Sequence, residues 1–229
     1  FFDKTFVSDS FSCRTEKGTH RAINKLRDFS YKVSENGKKT VWVLKCDIRK
    51  FFENINHDIL LTILKEYIPD KNTIWLLEKI IRSFSSAPGR GLPLGNLTSQ
   101  LFVNIYMNEF DQFIKHNLKA KYYVRYADDF VVLSQDKSWL EELLPKMGEF
   151  LEEKLKLNLH PDKIFIKTLN SGVDFLGWVH FPDHRVLRTT TKRTMLKRVR
   201  EHPKLEILNS YLGLMKHGNT NKIKKMIVF

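Results

Sequence analysis

Cysteine is almost missing from this chain. Only Cys13 and Cys46 occur, without paired spacing, which excludes a disulfide scaffold or a thiolate zinc site and fits a reducing cytosol. Cys46 is then expected to pack as a small core residue. Long apolar runs are missing too: none approaches the roughly 20 residues that span a bilayer, and no signal-like leader appears, so neither membrane insertion nor secretion has support. The lack of internal repeats and low-complexity tracts argues for one compact body. Acid is scarce toward the C-terminus. From Arg185 onward, 12 Lys and Arg face only Glu201 and Glu206, so +10 of the formal +13 lies in that stretch. This asymmetry demands a polyanion, and nucleic acid fits better than an anionic membrane surface.

With 42% hydrophobic and 12% aromatic content, 229 residues can close one sizeable core with a small appended lobe. The chain opens at Phe1 and closes on apolar Met226 to Phe229, so both ends are expected to be cut from something longer. Val41 to Asp47 reads as a buried strand. Asn56-His57-Asp58 offers caps to a helix with Leu60, Ile63, Leu64 and Tyr67 on one face, and a second helix carries Ile74, Leu77, Ile81 and Phe84. The breaker-rich Ala87 to Gly95 must be loop, after which Ser99 opens a long helix through Leu101, Ile105 and Phe113. Lys121 to Ala127 and Phe130 to Ser134 form a hairpin with Ala127-Asp128-Asp129 at its turn. Ser138 with Glu141 makes a capping box for a helix bearing Leu140, Leu143, Leu144, Met147 and Leu151, in which Pro145 predicts a kink or a late start. Lys163 to Thr168 and Val173 to Phe181 are two further strands. This order is that of an α+β, ferredoxin-like split βαβ sheet with helices on one face.

The chemistry gathers at three aspartates. Asp128 and Asp129 sit on the hairpin turn and Asp47 at the end of the upstream strand. Like charges a few ångströms apart raise one another's pKa, so three ionised carboxylates on one sheet edge require divalent cations among them. Hard oxygen donors without nearby His or Cys point to Mg²⁺, with Mn²⁺ as a substitute, and two such ions suit phosphoryl transfer. A lone Asp-Asp at a turn is ordinary turn chemistry, so the surrounding motifs decide.

Those motifs are Lys45-Cys46-Asp47-Ile48-Arg49-Lys50-Phe51-Phe52, the loop Gly91 to Gln100, Tyr126-Ala127-Asp128-Asp129 and Phe175-Leu176-Gly177-Trp178. In their order and spacing the chain resembles a reverse transcriptase, from about Asp9 to Arg200. Gly95 to Gln100 is similar to the bacterial group that includes diversity-generating retroelement enzymes. Group II intron and retroviral members usually carry Gln where Leu94 stands and Pro where Gln100 stands. The resemblance implies a right-hand polymerase: partial fingers over 1–40, a palm over 41–184 with inserted fingers helices around 70–95, and the start of a basic helical thumb over 185–229.

It further implies that Asp47 and Asp128 are the principal ligands of two Mg²⁺ ions, with Asp129 beside them and the Ile48 carbonyl as another oxygen. Phe52 falls where the family places an aromatic gate that excludes a ribose 2′-hydroxyl by clash. Of Phe51 and Phe52, at least one is ordinary core. Leu94 and Gly95 would floor the nucleotide site, and an aliphatic residue at 94 implies weakened discrimination at template adenines; a neutral packing role is the alternative. Arg14, Lys17 and Arg21 are candidates to clamp the triphosphate, or a solvated basic face. Lys163 matches a lysine placed to protonate pyrophosphate, or is a surface lysine. Phe175, Leu176, Gly177 and Trp178 match the primer grip, although Trp178 also reads as core. Lys192, Arg193, Lys197, Arg198 and Arg200 would hold template–primer phosphates. The implied partners are an RNA template, a DNA or RNA primer, dNTPs and, for a retroelement enzyme, a small basic accessory protein, in a bacterial cytoplasm. The alternatives are an intron-type or defence-associated relative, or a scaffold that binds nucleic acid without catalysis.

Overall fold

The computed structural model describes residues 1–227, so Val228 and Phe229 of the apolar closing stretch lie outside the described residues. In chain order the main elements are α1 (Thr19–Val33), β1 (Trp42–Cys46), α2 (Phe51–Asn54), α3 (His57–Tyr67), α4 (Lys71–Arg82), α5 (Leu97–Gln112), β2 (Tyr123–Tyr126) and β3 (Asp129–Ser134). There follow α6 (Lys137–Leu155), β4 (Phe165–Thr168), β5 (Val173–Phe175), β6 (Trp178–His180), β7 (Arg185–Leu187), α7 (Thr189–Glu201), α8 (Leu205–Met215) and α9 (Asn221–Ile227). The central sheet has the order β2-β3-β1-β4, with every neighbouring pair antiparallel, which is the expected split βαβ arrangement.

Strand alternation divides the core in two. Leu44, Cys46, Tyr123, Phe130 and Val132 share one cluster with Leu60, Tyr106, Phe110 and Leu140 from α3, α5 and α6. Val43, Val124, Val131 and Leu133 share the other, with Ala22, Ile23 and Leu26 of α1 and with Phe175 and Trp178 of a second sheet, β5-β6-β7. The expectation of helices on one face is thereby corrected. The unbroken apolar run Phe130 to Leu133 is the reason, since a strand covered on only one side alternates with polar residues. Cys46 is buried as expected, and burial pushes its thiol well above the ordinary range.

Local signals set most element ends. The Asn56 side chain accepts from the Ile59 N–H at 3.0 Å and starts α3. Helix α5 begins two residues before Ser99, after Asn96. Phe84 lies beyond α4 and is exposed. The capping box does not form: Asp136 caps α6 by accepting from the Trp139 N–H at 3.1 Å. Helix α6 also runs through Pro145 without a late start. Proline removes the hydrogen bond to the Glu141 carbonyl, which is tolerated because Glu141 lies on the exposed side of the helix. Val173 to Phe181 is a hairpin instead of one strand, folded at Leu176 and Gly177 with φ of +52° and +82°. Both central residues of a primed two-residue turn need positive φ, and a leucine there hides the turn from the sequence. Among the described residues no helix is long and apolar enough to cross a membrane.

His180, 3% exposed, sets a pH limit on this second sheet. Burial, reinforced by the positive charge of Arg185, lowers its pKa to about 4. Between pH 6.5 and about 4 the unfolded chain binds a proton that the folded one refuses, so stability falls as pH drops through that window and levels off below it. The loss expected from this one group is about 3 kcal/mol. Urea unfolding of the wild type and of His180→Gln at pH 7 and pH 4.5 should show it as a gap of that size between their two pH dependences; the same pH dependence in both would assign the acid sensitivity elsewhere.

Candidate active site

Strand β1 delivers Asp47 to the end of the sheet, and the β2–β3 turn delivers Asp128. Register carries the pairing of Cys46 with Phe130 one step on, setting Asp47 beside Asp129. Beyond Asp47, Ile48 bridges to Leu159, and the His160 N–H donates to the Asp47 carbonyl at 2.8 Å. That short pairing carries Lys163 to the site, where its Nζ donates to Asp47 Oδ1 at 3.1 Å. Burial raises the pKa of Asp128, with the negative charge of Asp47 adding to the rise.

Asp129 shares the face of Asp47 but has a cation of its own. Strand alternation sends it to the face of Lys45, whose ammonium stands 3.4 Å from Asp129 Oδ1. That alignment leaves the buried Oδ1 without a hydrogen bond, and burial outweighs the lysine and lifts the carboxyl to about 7. Among the described residues no three carboxylate, imidazole or thiol groups gather closely enough to hold an ion by themselves. The expected three-carboxylate cluster is corrected accordingly: the charges of Asp47 and Asp128 reach Asp129, but Asp129 pairs with Lys45 and does not complete a three-ligand set with them. Two hard carboxylates beside the Ile48 backbone, with the adjacent Cys46 thiol buried in the core and held protonated, still fit a hard divalent cation that takes its other ligands from water and phosphate.

The other predicted residues divide clearly. Arg14 is committed to the N-terminal segment: Nε donates to Asp3 Oδ1 at 2.7 Å, and Nη1 donates to the Val7 and Ser10 carbonyls at 2.6 and 3.0 Å. With its side chain 5% exposed it is a structural tie, which corrects the triphosphate assignment. Lys17 is half-buried over the Phe11 ring and donates to the Ser8 carbonyl, whereas Arg21 is exposed on the first turn of α1. Phe51 is core and drops out as a nucleotide contact, while Phe52 is only half-buried. Both sit on the one-turn helix α2, entered through Lys50 in the left-handed region. Leu94 is 77% exposed. Gly95 is exposed at φ +84°. Phe175 and Trp178 are buried at 0% and 1%, so only the Leu176–Gly177 turn remains to meet a primer. That turn is tied to α7, since the Arg188 N–H donates to the Gly177 carbonyl at 3.0 Å. On α7, Met195 anchors the helix, Lys192 is half-buried, and Arg193, Lys197, Arg198 and Arg200 are exposed.

The family model described as reverse transcriptase (RNA-dependent DNA polymerase) matches residues 2–180. This chain belongs to that family. Protein YkfC of Escherichia coli (strain K12) is 27% identical over 230 residues, covering 83% of this chain and 58% of that protein. The group II intron-encoded protein LtrA of Lactococcus lactis subsp. cremoris is 24% identical over 262 residues, covering 83% and 41%. The chain thus spans about half the length of these relatives. In fold it is similar to apo telomerase from Candida tropicalis, with a TM-score of 0.64 at 12% identity over 83% of this chain and 39% of that one. It is also similar to telomerase from Candida albicans in complex with a TWJ fragment of telomeric RNA, at 0.61 and 14%, over 91% and 42%. The α+β right-hand polymerase fold is therefore the architecture of this reverse transcriptase chain.

Three residues at this candidate site, Lys45, Asp111 and Arg125, were given no role from the sequence alone. Lys45 was visible as the strand neighbour two before Asp47, and period-two alternation puts them on one face. Arg125 and Asp111 gave no such signal. Arg125, 1% exposed, clasps Asp111 through Nε to Oδ1 at 2.7 Å and Nη2 to Oδ2 at 2.6 Å. Its Nη1 donates to the Ala127 carbonyl at 3.0 Å, bracing the turn that presents Asp128. Tyr123 Oη also donates to Asp111 Oδ1, at 2.7 Å.

Proposed function

We propose that this chain is the fingers, palm and first thumb segment of an RNA-directed DNA polymerase that adds dNTPs to a primer 3′-hydroxyl on an RNA template. In this reading 1–40 belongs to the fingers, with the helices around 70–95 inserted from the same lobe, 41–184 is the palm, and 185–229 begins the thumb. The observation that carries it is Asp47 and Asp128 sharing one sheet edge with Lys163 against Asp47. Asp47, Asp128 and the Ile48 carbonyl are the residues to hold Mg²⁺, or Mn²⁺ in its place; two such ions would supply charge neutralisation and hydroxyl activation for phosphoryl transfer.

The chain's own residues do the rest. Lys163, released from Asp47, holds the proton that pyrophosphate takes on leaving. Lys17 and Arg21 neutralise the triphosphate. Phe52 blocks a 2′-hydroxyl, Leu94 and Gly95 lie under the incoming nucleotide, and the Leu176–Gly177 turn backs the primer end. The exposed cations of α7, with Lys192, grip backbone phosphates without reading sequence, so binding falls steeply with salt. The residue types at Leu94, which is exposed, and at half-buried Gln100 favour the diversity-generating retroelement subgroup with its basic accessory protein. The intron-encoded relatives favour the intron type. A bacterial cytoplasm suits either.

Primer extension on RNA with Mg²⁺ tests the reading. The wild type should extend with dNTPs and discriminate against ribonucleotides, and Phe52→Val should narrow that discrimination by roughly 10²-fold or more. Binding without extension would leave the nucleic-acid scaffold instead. Misincorporation confined to template adenines would select the retroelement type, and its absence the intron type.

A further inference from the structure

A second charged site lies away from the carboxylates. A cavity of about 340 Å³ opens between α1, the β6–β7 hairpin and the connection from α8 to α9. It sits at the far end of β6 from the Leu176–Gly177 turn, and none of its lining residues has a part in the polymerase reading. Helix α1 turns one polar stripe toward it, since His20, Asn24 and Arg27 recur at helical spacing. His20 stacks on His217 at 3.6 Å between ring centres, and Arg27 lines the cavity with Arg185 and Lys216. A Cβ at Gly218 would collide with the Trp178 ring, so only glycine lets this connection close so tightly on β6.

Arg185 is the informative residue. It is 8% exposed, yet among the described residues no carboxylate pairs with it. Nη2 donates to Asn24 Oδ1 at 2.8 Å and Nε to the His217 carbonyl, while Nη1 is buried without any partner. Its guanidinium lies over the Trp178 ring at 5.8 Å, a partial compensation. The one carboxylate lining the cavity, Asp183, already accepts from His184 at 2.7 Å. Asp28, just outside, stands 3.6 Å from Arg27. The surplus is felt locally: burial lowers the pKa of His217, and His20, Arg185 and Lys216 lower it further. A buried guanidinium fixed by neutral acceptors, ringed by further cations and with a donor to spare, is costly unless an anion completes it.

We propose that this cavity is a phosphate-binding site, with Arg185 as its fixed fork and Arg27 and Lys216 as its outer cations. The guanidinium fork suits phosphate oxygens, and the imidazole of His217 offers a further donor. The phosphate belongs either to a nucleic-acid backbone or to a small phosphorylated molecule. Phe181, stacked on His184 at 4.8 Å, offers an aromatic face for a base in either case.

The test uses thermal unfolding with inorganic phosphate against chloride at matched ionic strength, and fluorescence titration with a six-nucleotide RNA lacking terminal phosphates. Three proteins are compared: the wild type, Arg27→Glu/Lys216→Glu, and Arg193→Glu/Lys197→Glu on α7. Phosphate should raise the midpoint of the wild type and of the α7 variant, and fail to do so for Arg27→Glu/Lys216→Glu. If the RNA also binds about 10-fold weaker to that variant, equivalent to about 1.4 kcal/mol, the source is backbone; unchanged RNA affinity assigns a free phosphate. Phosphate acting no better than chloride on the wild type, or equally on Arg27→Glu/Lys216→Glu, overturns the site. Should the charge reversals unfold, Arg27→Gln/Lys216→Gln, checked by circular dichroism, carries the same comparison. None of these readouts depends on nucleotide addition, so the site fails or stands apart from the polymerase reading.

Discussion

Asp128→Asn should lower nucleotide addition by at least roughly 10³-fold and, without divalent cations, make the protein more stable. The two effects share one cause. Asp128 is held where burial and the charge of Asp47 oppose its ionised form, which is useful only if a cation is to be bound there. Removing the charge relieves that cost and removes the ligand. Asp47→Asn should be as inactive, and it also strips Lys163 of its partner. Asp129→Asn should cost less activity, because that carboxylate faces Lys45. It should instead change the pH profile of stability. Between pH 3.8 and about 7 the folded chain retains a proton on Asp129 that the unfolded chain has released, so its contribution to stability is present at low pH and is lost as pH rises through 7. Single-turnover extension and thermal midpoints at pH 6 and pH 8, with and without Mg²⁺, separate these outcomes. Wild-type rates for Asp128→Asn would remove Asp128 from the chemistry.

The central sheet was legible because its signals are local: apolar strands of the right length, a two-residue turn, an Asn cap at Asn56. The carboxylate pair was legible because Asp47 ends a strand and Asp128 sits on a hairpin turn, within motifs that resemble those of a reverse transcriptase; the turn sets only β2 against β3, and the β1–β3 pairing that joins the two is long-range. What could not be read were facts of tertiary placement. Arg14 looks like a free cation beside Lys17 and Arg21, yet its guanidinium is consumed by Asp3 and two carbonyls. Phe51 and Phe52 are identical in type, and only the short helix α2 turns one inward. Leu176 gives no turn signal because leucine is rarely held at positive φ, and the hairpin forms there because Phe175 and Trp178 on either side are both buried. Helix α1 covers the second sheet face because Ala22, Ile23 and Leu26 recur at helical spacing, a pattern that names an apolar face without naming what it covers.

Arg125 and Asp111 belong to the same class of unreadable residues and carry the second large effect. The pair is fully buried, so truncating one partner strands the other's charge: Arg125→Met or Asp111→Ala should each cost about 3–5 kcal/mol, read as a drop in urea midpoint. Stability alone does not explain an arginine here, since apolar replacement of a whole buried pair is often neutral or better. The donor from Nη1 to the Ala127 carbonyl supplies the other reason: it fixes the turn, where Ala127 is held at φ +55°, one residue before Asp128. The triple variant Asp111→Leu/Tyr123→Phe/Arg125→Met removes every charge and the tyrosine hydroxyl that addressed them. It should recover most of the lost stability while kcat stays roughly 10²-fold low with KM for dNTP little changed, as expected when a reacting group is displaced by about an ångström. Full recovery of kcat along with stability would make Arg125 a core residue only; persistent loss of kcat in a stable protein makes it the residue that positions Asp128.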